Sequence, residues 1–211
     1  MTVTFSLRPA TREDAVDLAI LMDMASRGLV NWMWSRIAEA GQSALEVGRE
    51  RLRQRADLPS HYSRWIVAEQ DGEVMGGFAG YVVPDPYDAG DVSDLPDVYG
   101  PLLELEALAA GSWFLMAIAV YPEFQRQGLG SDLIEAAMAA ARKLGAARIA
   151  LTVSAANDPA CRLYQRHGFR ETARRRAIPF PGSGDIGDWV LLSRSLTDQT
   201  SNTSLPRPAT L

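Results

Sequence analysis

The spacing of apolar residues changes several times along the chain, and each change marks an element. Ala15, Leu18, Ala19, Leu21 and Met22 recur at helical spacing behind Thr11, Glu13 and Asp14, after a short strand over Val3 to Arg8 that Pro9 ends. Trp32, Met33, Trp34 and Ile37, then Leu45 to Arg55, predict a second helical region broken near Gly41. The period then drops to that of strands: Trp65 to Gln70 and Val74 to Val83 flank Asp71 and Gly72, a pair suited to a tight hairpin, and Pro84 stops the second strand. Phe114 to Val120 is an unbroken apolar run, Ser131 to Leu144 is helical in period, and Ala147 to Val153 has the β-rich composition of a strand. Asn157, Asp158 and Pro159 open a helix that Gly168 and Phe169 close before another extended segment, and Trp189 to Leu196 reads as a last strand. This order predicts one α/β domain over residues 1–196. It carries a Pro-, Asp- and Gly-rich insert over 84–110 with one short helix around Leu102 to Leu108, and 197–211 has the composition of a disordered tail.

The chemistry concentrates where the apolar run meets the next helix. Gln125, Arg126, Gln127, Gly128, Leu129, Gly130 and Ser131 form a glycine-bearing turn, so backbone amides collect at a helix start. Those first amides lack partners inside the helix and carry the positive end of its dipole, so a phosphate docked there satisfies both. Side chains at Gly128 or Gly130 would hold a pyrophosphate away from the nitrogens, and Arg126 adds a full charge. A tight connection with glycines for backbone reasons alone is the alternative reading of the turn. Two other phosphate motifs fail: a dinucleotide fingerprint wants glycine where Leu133 stands, and a P-loop wants Lys directly after Gly130, where Ser131 stands.

With its downstream partner the turn is more specific. Gln125 to Gly130 matches the Gln/Arg-x-x-Gly-x-Gly/Ala motif of the GNAT N-acetyltransferase superfamily, and Asn157, Ala160, Leu163, Tyr164, Gly168 and Phe169 match its following signature. The chain therefore resembles that superfamily, strongly over Phe114 to Phe169 and elsewhere by element order. The resemblance implies a mixed, mostly antiparallel α/β sheet of about seven strands flanked by helices, with a splayed strand pair forming a slot for acetyl-CoA as co-substrate. By that resemblance Gln125, Arg126, Gln127, Gly128, Leu129, Gly130 and Ser131 take the pyrophosphate. Ile118, Ala119 and Val120 pair with the pantetheine arm, and Asn157 and Ala160 lie against the arm where the strand splays from its neighbour after Asn157. Tyr164 is then placed near the thioester sulfur, where a phenol of pKa about 10 stays neutral at pH 7 and can donate to the departing thiolate. Packing on the helix–sheet interface, and an N-cap at Asn157, are the structural alternatives.

The proton acceptor for the amine is not fixed by the motifs. Where some members carry a Glu on the cofactor strand this chain has Phe114, and no acid occurs from Gly111 to Pro122. Glu104 and Glu106 are the nearest candidates in sequence; a carboxylate of the Asp85 to Asp97 loop or a water chain stays open. From Trp65 to Gln125 there is no Lys or Arg among many acids, which would concentrate a cationic amine if the insert faced the acceptor, or else is a solvated surface. The Trp cluster at Trp32 and Trp34 lines a pocket, fills the core or makes a dimer contact. Arg166, Arg170, Arg174, Arg175 and Arg176 serve solvation or the CoA 3'-phosphate.

Composition narrows the class further. A net charge of -5 argues against nucleic acid, and no apolar stretch approaches the roughly 20 residues of a membrane span. One cysteine, Cys161, and two histidines argue against a disulfide framework or a metal site, and Cys161 reads as a core thiol rather than a nucleophile. The expectation is a cytoplasmic, metal-independent N-acetyltransferase acting on a small-molecule or peptide amine in a ternary complex, with a homodimer compatible. A non-catalytic acetyl-CoA sensor, and transfer of a longer acyl group, are the other readings.

Overall fold

The computed structural model describes residues 5–197. Strands β1 (Ser6–Pro9), β2 (Trp65–Gln70), β3 (Glu73–Val82), β4 (Trp113–Val120), β5 (Arg148–Ser154), β6 (Arg170–Arg176) and β7 (Asp188–Ser195) form one seven-stranded sheet in the order β1-β2-β3-β4-β5-β7-β6. Every neighbouring pair is antiparallel except β4 with β5. Val3 and Thr4 of the expected first strand, and the tail beyond Thr197, lie outside the described residues. Helices α1 (Ala15–Ser26), α2 (Leu29–Ile37), α3 (Ala44–Gln54), α4 (Gly100–Ala107), α5 (Leu129–Lys143) and α6 (Asp158–Arg166) flank the sheet, the mixed α/β architecture expected. Local chemistry accounts for several boundaries. Asp71 and Gly72 both have positive φ, 53° and 85°, in the β2–β3 hairpin. Ser43 and Glu46 cap α3 reciprocally, the Ser43 N–H donating to the Glu46 carboxylate at 2.8 Å.

The two faces of the sheet carry different helices. Leu129, Leu133, Ile134, Met138 and Tyr164 from α5 and α6 pack on Leu115, Ile149, Leu151, Val190 and Leu192. On the opposite face α1 to α3 cover Val67, Ala79 and Ala117, while Leu105 of α4 joins Phe114, Ala150, Trp189 and Leu191. Leu133 and Met138 are wholly buried, each stabilising the fold by roughly 2 kcal/mol. Among the described residues no helix is long and apolar enough to cross a membrane.

Two irregularities interrupt the central strands. Ala79 pairs with Ala117 and Gly80 with Leu115, so Met116 is an extra residue in β4, a bulge. Strict alternation would put Ala117 and Ala119 on the same face as Trp113 and Leu115. With the bulge, Ile118 and Val120 turn to the α5 face and Ala117 and Ala119 to the α1 face. Beside it, β4 and β5 pair only at Trp113 with Ile149 and Phe114 with Ala150, then part. The parting therefore begins at Leu115 and Leu151, ahead of Asn157, where the sequence reading set it. A bulged strand bends, and Met116 lies two residues past the last paired position.

Candidate active site

The glycine turn folds as an anion cradle. Arg126 has φ 61° and Gly128 φ 94°, so the chain reverses into α5 through left-handed residues, and the helix begins at Leu129, two residues earlier than its periodicity suggested. The N–H groups of Ser131 and Asp132 both donate to the Gly128 carbonyl, at 2.8 and 3.2 Å. Those of Gln127, Gly128, Leu129 and Gly130 have no protein acceptor among the described residues. Four free donors at the positive end of a fifteen-residue helix fit a diphosphate. Gln125 stiffens the approach by donating from its amide to the Val120 carbonyl at 2.9 Å. Gln127 does the same to the Glu123 carbonyl.

From this cradle a cleft of about 520 Å³ runs between the parted halves of β4 and β5. Ile118, Ala119 and Val120 form one wall, and Gln125, Arg126, Gly128, Gly130 and Ser131 lie at its mouth. Asn157, Ala160 and Tyr164 close the far side. Gln127 and Leu129 do not line it with side chains; Leu129 is buried in the α5 core and can offer only its backbone. Asn157 accepts the Ala160 N–H at 3.3 Å as the cap of α6 and lines the cleft as well. A methyl group at Gly130 would touch Leu163 of α6 at 3.4 Å, so the two signature motifs meet in space across the cleft.

Tyr164 is buried at 7% exposure, its ring edge-on to Phe169 at 5.7 Å between centroids. Burial holds its hydroxyl above the ordinary phenol range, so it stays protonated throughout the neutral region. That hydroxyl has no protein partner among the described residues, and the residue faces the cleft. Cys161 is half-buried with its thiol on the Ser154 carbonyl at 3.6 Å, and burial raises its pKa. Such a thiol is a poor nucleophile.

The expected carboxylates lie elsewhere. Glu104 and Glu106 sit on α4 and neither lines the cleft. Glu104 takes the Arg175 Nε at 2.5 Å on the surface. Glu106 accepts the Tyr81 hydroxyl at 2.6 Å, burial pushing its carboxyl up against that hydrogen bond. No acid of the 84–110 insert reaches the cleft, and among the described residues its lining contains no carboxylate. Trp34 packs on Gly48 in the α1–α3 core, while Trp32 stacks on Phe180 at 5.6 Å; neither lines the cleft. Of the basic stretch only Arg166 does, Arg174 and Arg175 being paired with Glu171 and Glu104.

Sequence reasoning passed over Met24, Ala25 and Arg27 at the end of α1, Thr152 of β5 and Trp189 of β7, which complete the walls. Only Gly28, a helix-ending signal directly after Arg27, marked any of them. Their meeting is a tertiary fact.

Comparison with known proteins places this geometry. Residues 29–169 match the Acetyltransferase (GNAT) family. An N-alpha-acetyltransferase of Sulfurisphaera tokodaii is 29% identical over 116 residues, which are 54% of this chain and 60% of the relative. The ribosomal protein bS18 alanine N-acetyltransferase of Escherichia coli K12 is 45% identical over 79 residues, 37% of this chain and 53% of the relative. The chain thus spans little more than half the length of these curated relatives. The protein yncA of Salmonella typhimurium, solved with its cofactor acetyl-CoA, shares the fold at TM-score 0.58 and 16% identity over 98% of this chain and 100% of that one. The glycine turn, the parted strands, Asn157 and Tyr164 all fall within residues 29–169, and the chain belongs to the GNAT acetyltransferase family.

Proposed function

We propose that this protein transfers the acetyl group of acetyl-CoA to an amine by direct attack, both reactants being held at once in the cleft. The observation that carries the reading is the parting of β4 from β5 after two paired positions, which leads from the free amides of α5 to the Tyr164 hydroxyl. The amides of Gln127 to Gly130 hold the diphosphate, and the open edge of β4 at Ile118 and Ala119 pairs with the amide-bearing arm as a further strand would. The Met116 peptide, displaced from its β3 ladder by the bulge, supplies a donor for the oxygen of the acyl group as the amine attacks.

The amine nitrogen forms its bond to the acyl carbon, the carbon–sulfur bond breaks, and the electron pair leaves on sulfur. Tyr164 donates a hydrogen bond to that sulfur. Full transfer of its proton is uphill, because burial holds the phenol above about 10 whereas a thiol titrates near 8.5. The proton lost by the amine therefore neutralises the thiolate. Holding both reactants in place supplies much of the rate.

The lining also bears on the acceptor. With no carboxylate among the described residues that line the cleft, the amine has to arrive largely neutral. A lysine-type amine near 10.4 is neutral in about one molecule per few thousand at pH 7, an α-amine near 7.8 in about one in seven. An α-amine suits this cleft better than a side-chain amine, in keeping with relatives named an N-alpha-acetyltransferase and a ribosomal protein bS18 alanine N-acetyltransferase. Glu104 and Glu106 could take the proton only after a shift of α4. Calorimetry with CoA followed by thiol release over a panel of amines tests the reading. CoA binding with amine-dependent release supports it; CoA binding without release leaves a sensor, and no CoA binding overturns the whole proposal.

A further inference from the structure

Tyr121 donates its hydroxyl to Asp17 at 2.8 Å and so pins the first turn of α1 beside the end of β4. Ten residues of helix, about 15 Å, then carry Arg27 back along the strand by four or five residues. That brings it to the level of Met116 and Ala117, where Met24, Ala25 and Arg27 line the cleft. This is the depth at which β4 and β5 part, and the sheet face opposite the α5 cradle. An amine approaching the acyl carbon from the α1 face passes Arg27.

Three features set Arg27 apart. Its guanidinium makes no hydrogen bond or ion pair among the described residues, although Asp23 lies one turn back on the same helix; Asp23 instead accepts the Asn31 N–H at 3.3 Å. Among the described residues no lining residue carries negative charge, while Arg126 and Arg166 are the other lining cations. Finally, Arg27 has φ 56°, a left-handed backbone that a side chain occupies at a cost of roughly 1 kcal/mol and that Gly or Asn would occupy more readily at a helix end. Among the described residues the three non-glycine residues with positive φ are Arg27, Arg126 and the hairpin Asp71, so both non-hairpin examples are arginines of this cleft.

Resting on the acetyl-transfer reading, we infer that Arg27 recognises a carboxylate on the acceptor, close to the amine that is acetylated. The carboxylate belongs either to the acceptor backbone, as in a free amino acid, or to an acidic side chain at the second position of a peptide. A guanidinium pairs with it in two-pronged fashion. The acidic 84–110 insert then plays no part in attracting the acceptor, and the preferred amine is not polycationic.

The test measures kcat/KM per neutral amine, because the carboxylate of free alanine raises the pKa of its own amine above that of the amide. The substrates are the peptides Ala-Asp-Ala-Ala, Ala-Asn-Ala-Ala and Ala-Lys-Ala-Ala, amidated at the C-terminus, and free alanine and its amide, with wild type, Arg27→Gln and Arg27→Glu. Calorimetry records peptide affinity for the CoA-bound protein. For an exposed cation the expected preference for one carboxylate-bearing partner over its neutral match is about five-fold, through KM rather than kcat. Arg27→Gln abolishes that preference with CoA affinity unchanged, and Arg27→Glu reverses it toward Ala-Lys-Ala-Ala. A preference within the peptide pair assigns the carboxylate to a side chain, one within the alanine pair to the backbone. Equal use and equal binding of both members of both pairs by wild type overturns the inference while leaving acetyl transfer standing. So does a loss of CoA affinity in Arg27→Gln, which would give Arg27 to the co-substrate. Failure of the acetyl-transfer reading shows itself separately, as absent CoA binding.

Discussion

Replacing Tyr164 by Phe removes one oxygen and leaves the ring. The ring supplies the packing, edge-on to Phe169 at 5.7 Å, within the α5–α6 core. Its hydroxyl has no protein partner among the described residues to leave unsatisfied, so stability should change by less than about 0.5 kcal/mol. Catalysis should change far more. A fixed donor aimed at developing charge contributes about 10² to 10³ in rate where the acceptor is an oxyanion. Sulfur spreads its charge more widely and accepts more weakly, so a fall in kcat of about 10- to 100-fold is expected, or about 1.4 to 2.7 kcal/mol. Thiol release at saturating amine and acetyl-CoA measures it, with CoA affinity by calorimetry and the melting temperature as controls. The wild-type kcat should show no loss between pH 7 and 10 assignable to this phenol, because burial keeps its proton on. A folded Tyr164→Phe variant with kcat within two-fold of wild type, on an amine turned over efficiently, would refute the assigned role.

Gly128→Ala forces a side chain onto φ 94° although space around it is free, the nearest atom being Asp132 Oδ2 at 4.0 Å. The turn should relax and re-aim its amides, raising the CoA dissociation constant about 10-fold for a strain near 1.4 kcal/mol, with a small loss of melting temperature. Gly80→Ala should instead attack the fold, since its methyl would lie 2.4 Å from the Trp113 ring and 2.6 Å from the Phe114 carbonyl; a loss of at least about 1–3 kcal/mol in denaturant unfolding is expected. Glu106→Gln should raise the melting temperature at pH 7. Burial raises this carboxyl above its unfolded value, so its contribution to stability is intact below that value, about 4.3, and is lost as pH rises through the folded one; the gain should vanish on acidification. Collapse of kcat in Glu106→Gln, with stability preserved, would return Glu106 to the role of base.

The elements were legible wherever local chemistry decides them. Asp71 and Gly72 announced their hairpin, Asn157 its cap, and the glycine turn the start of α5 to within two residues, because turns and caps depend on a few adjacent residues. The cradle half of the site was legible for the same reason: the amides that form it are consecutive. Two things were not. Every residue from Phe114 to Val120 is apolar, so the pattern held no alternation whose interruption could reveal the bulge at Met116. Without the bulge, the position at which β4 leaves β5 could not be set, and the sequence reading put it some six residues late, at Asn157.

The other half of the cleft, the acceptor half on the proposed reading, was hidden for a different reason. It is assembled from the end of α1, the middle of β4, Thr152 of β5 and Trp189 of β7, segments that adjoin only once the sheet has formed. Sequence proximity therefore misled: Glu104 and Glu106 are the acids nearest β4 along the chain, yet α4 packs on β6 and β7 and turns them to Arg175 and Tyr81. Thr152, whose hydroxyl is buried at the cleft wall without a partner among the described residues, shows the converse, an ordinary strand residue that becomes a polar lining group. On the proposed reading the donor site is written in one turn of chain and the acceptor site in tertiary contacts, so acceptor specificity would change through α1 and β5 while the cradle stays as it is.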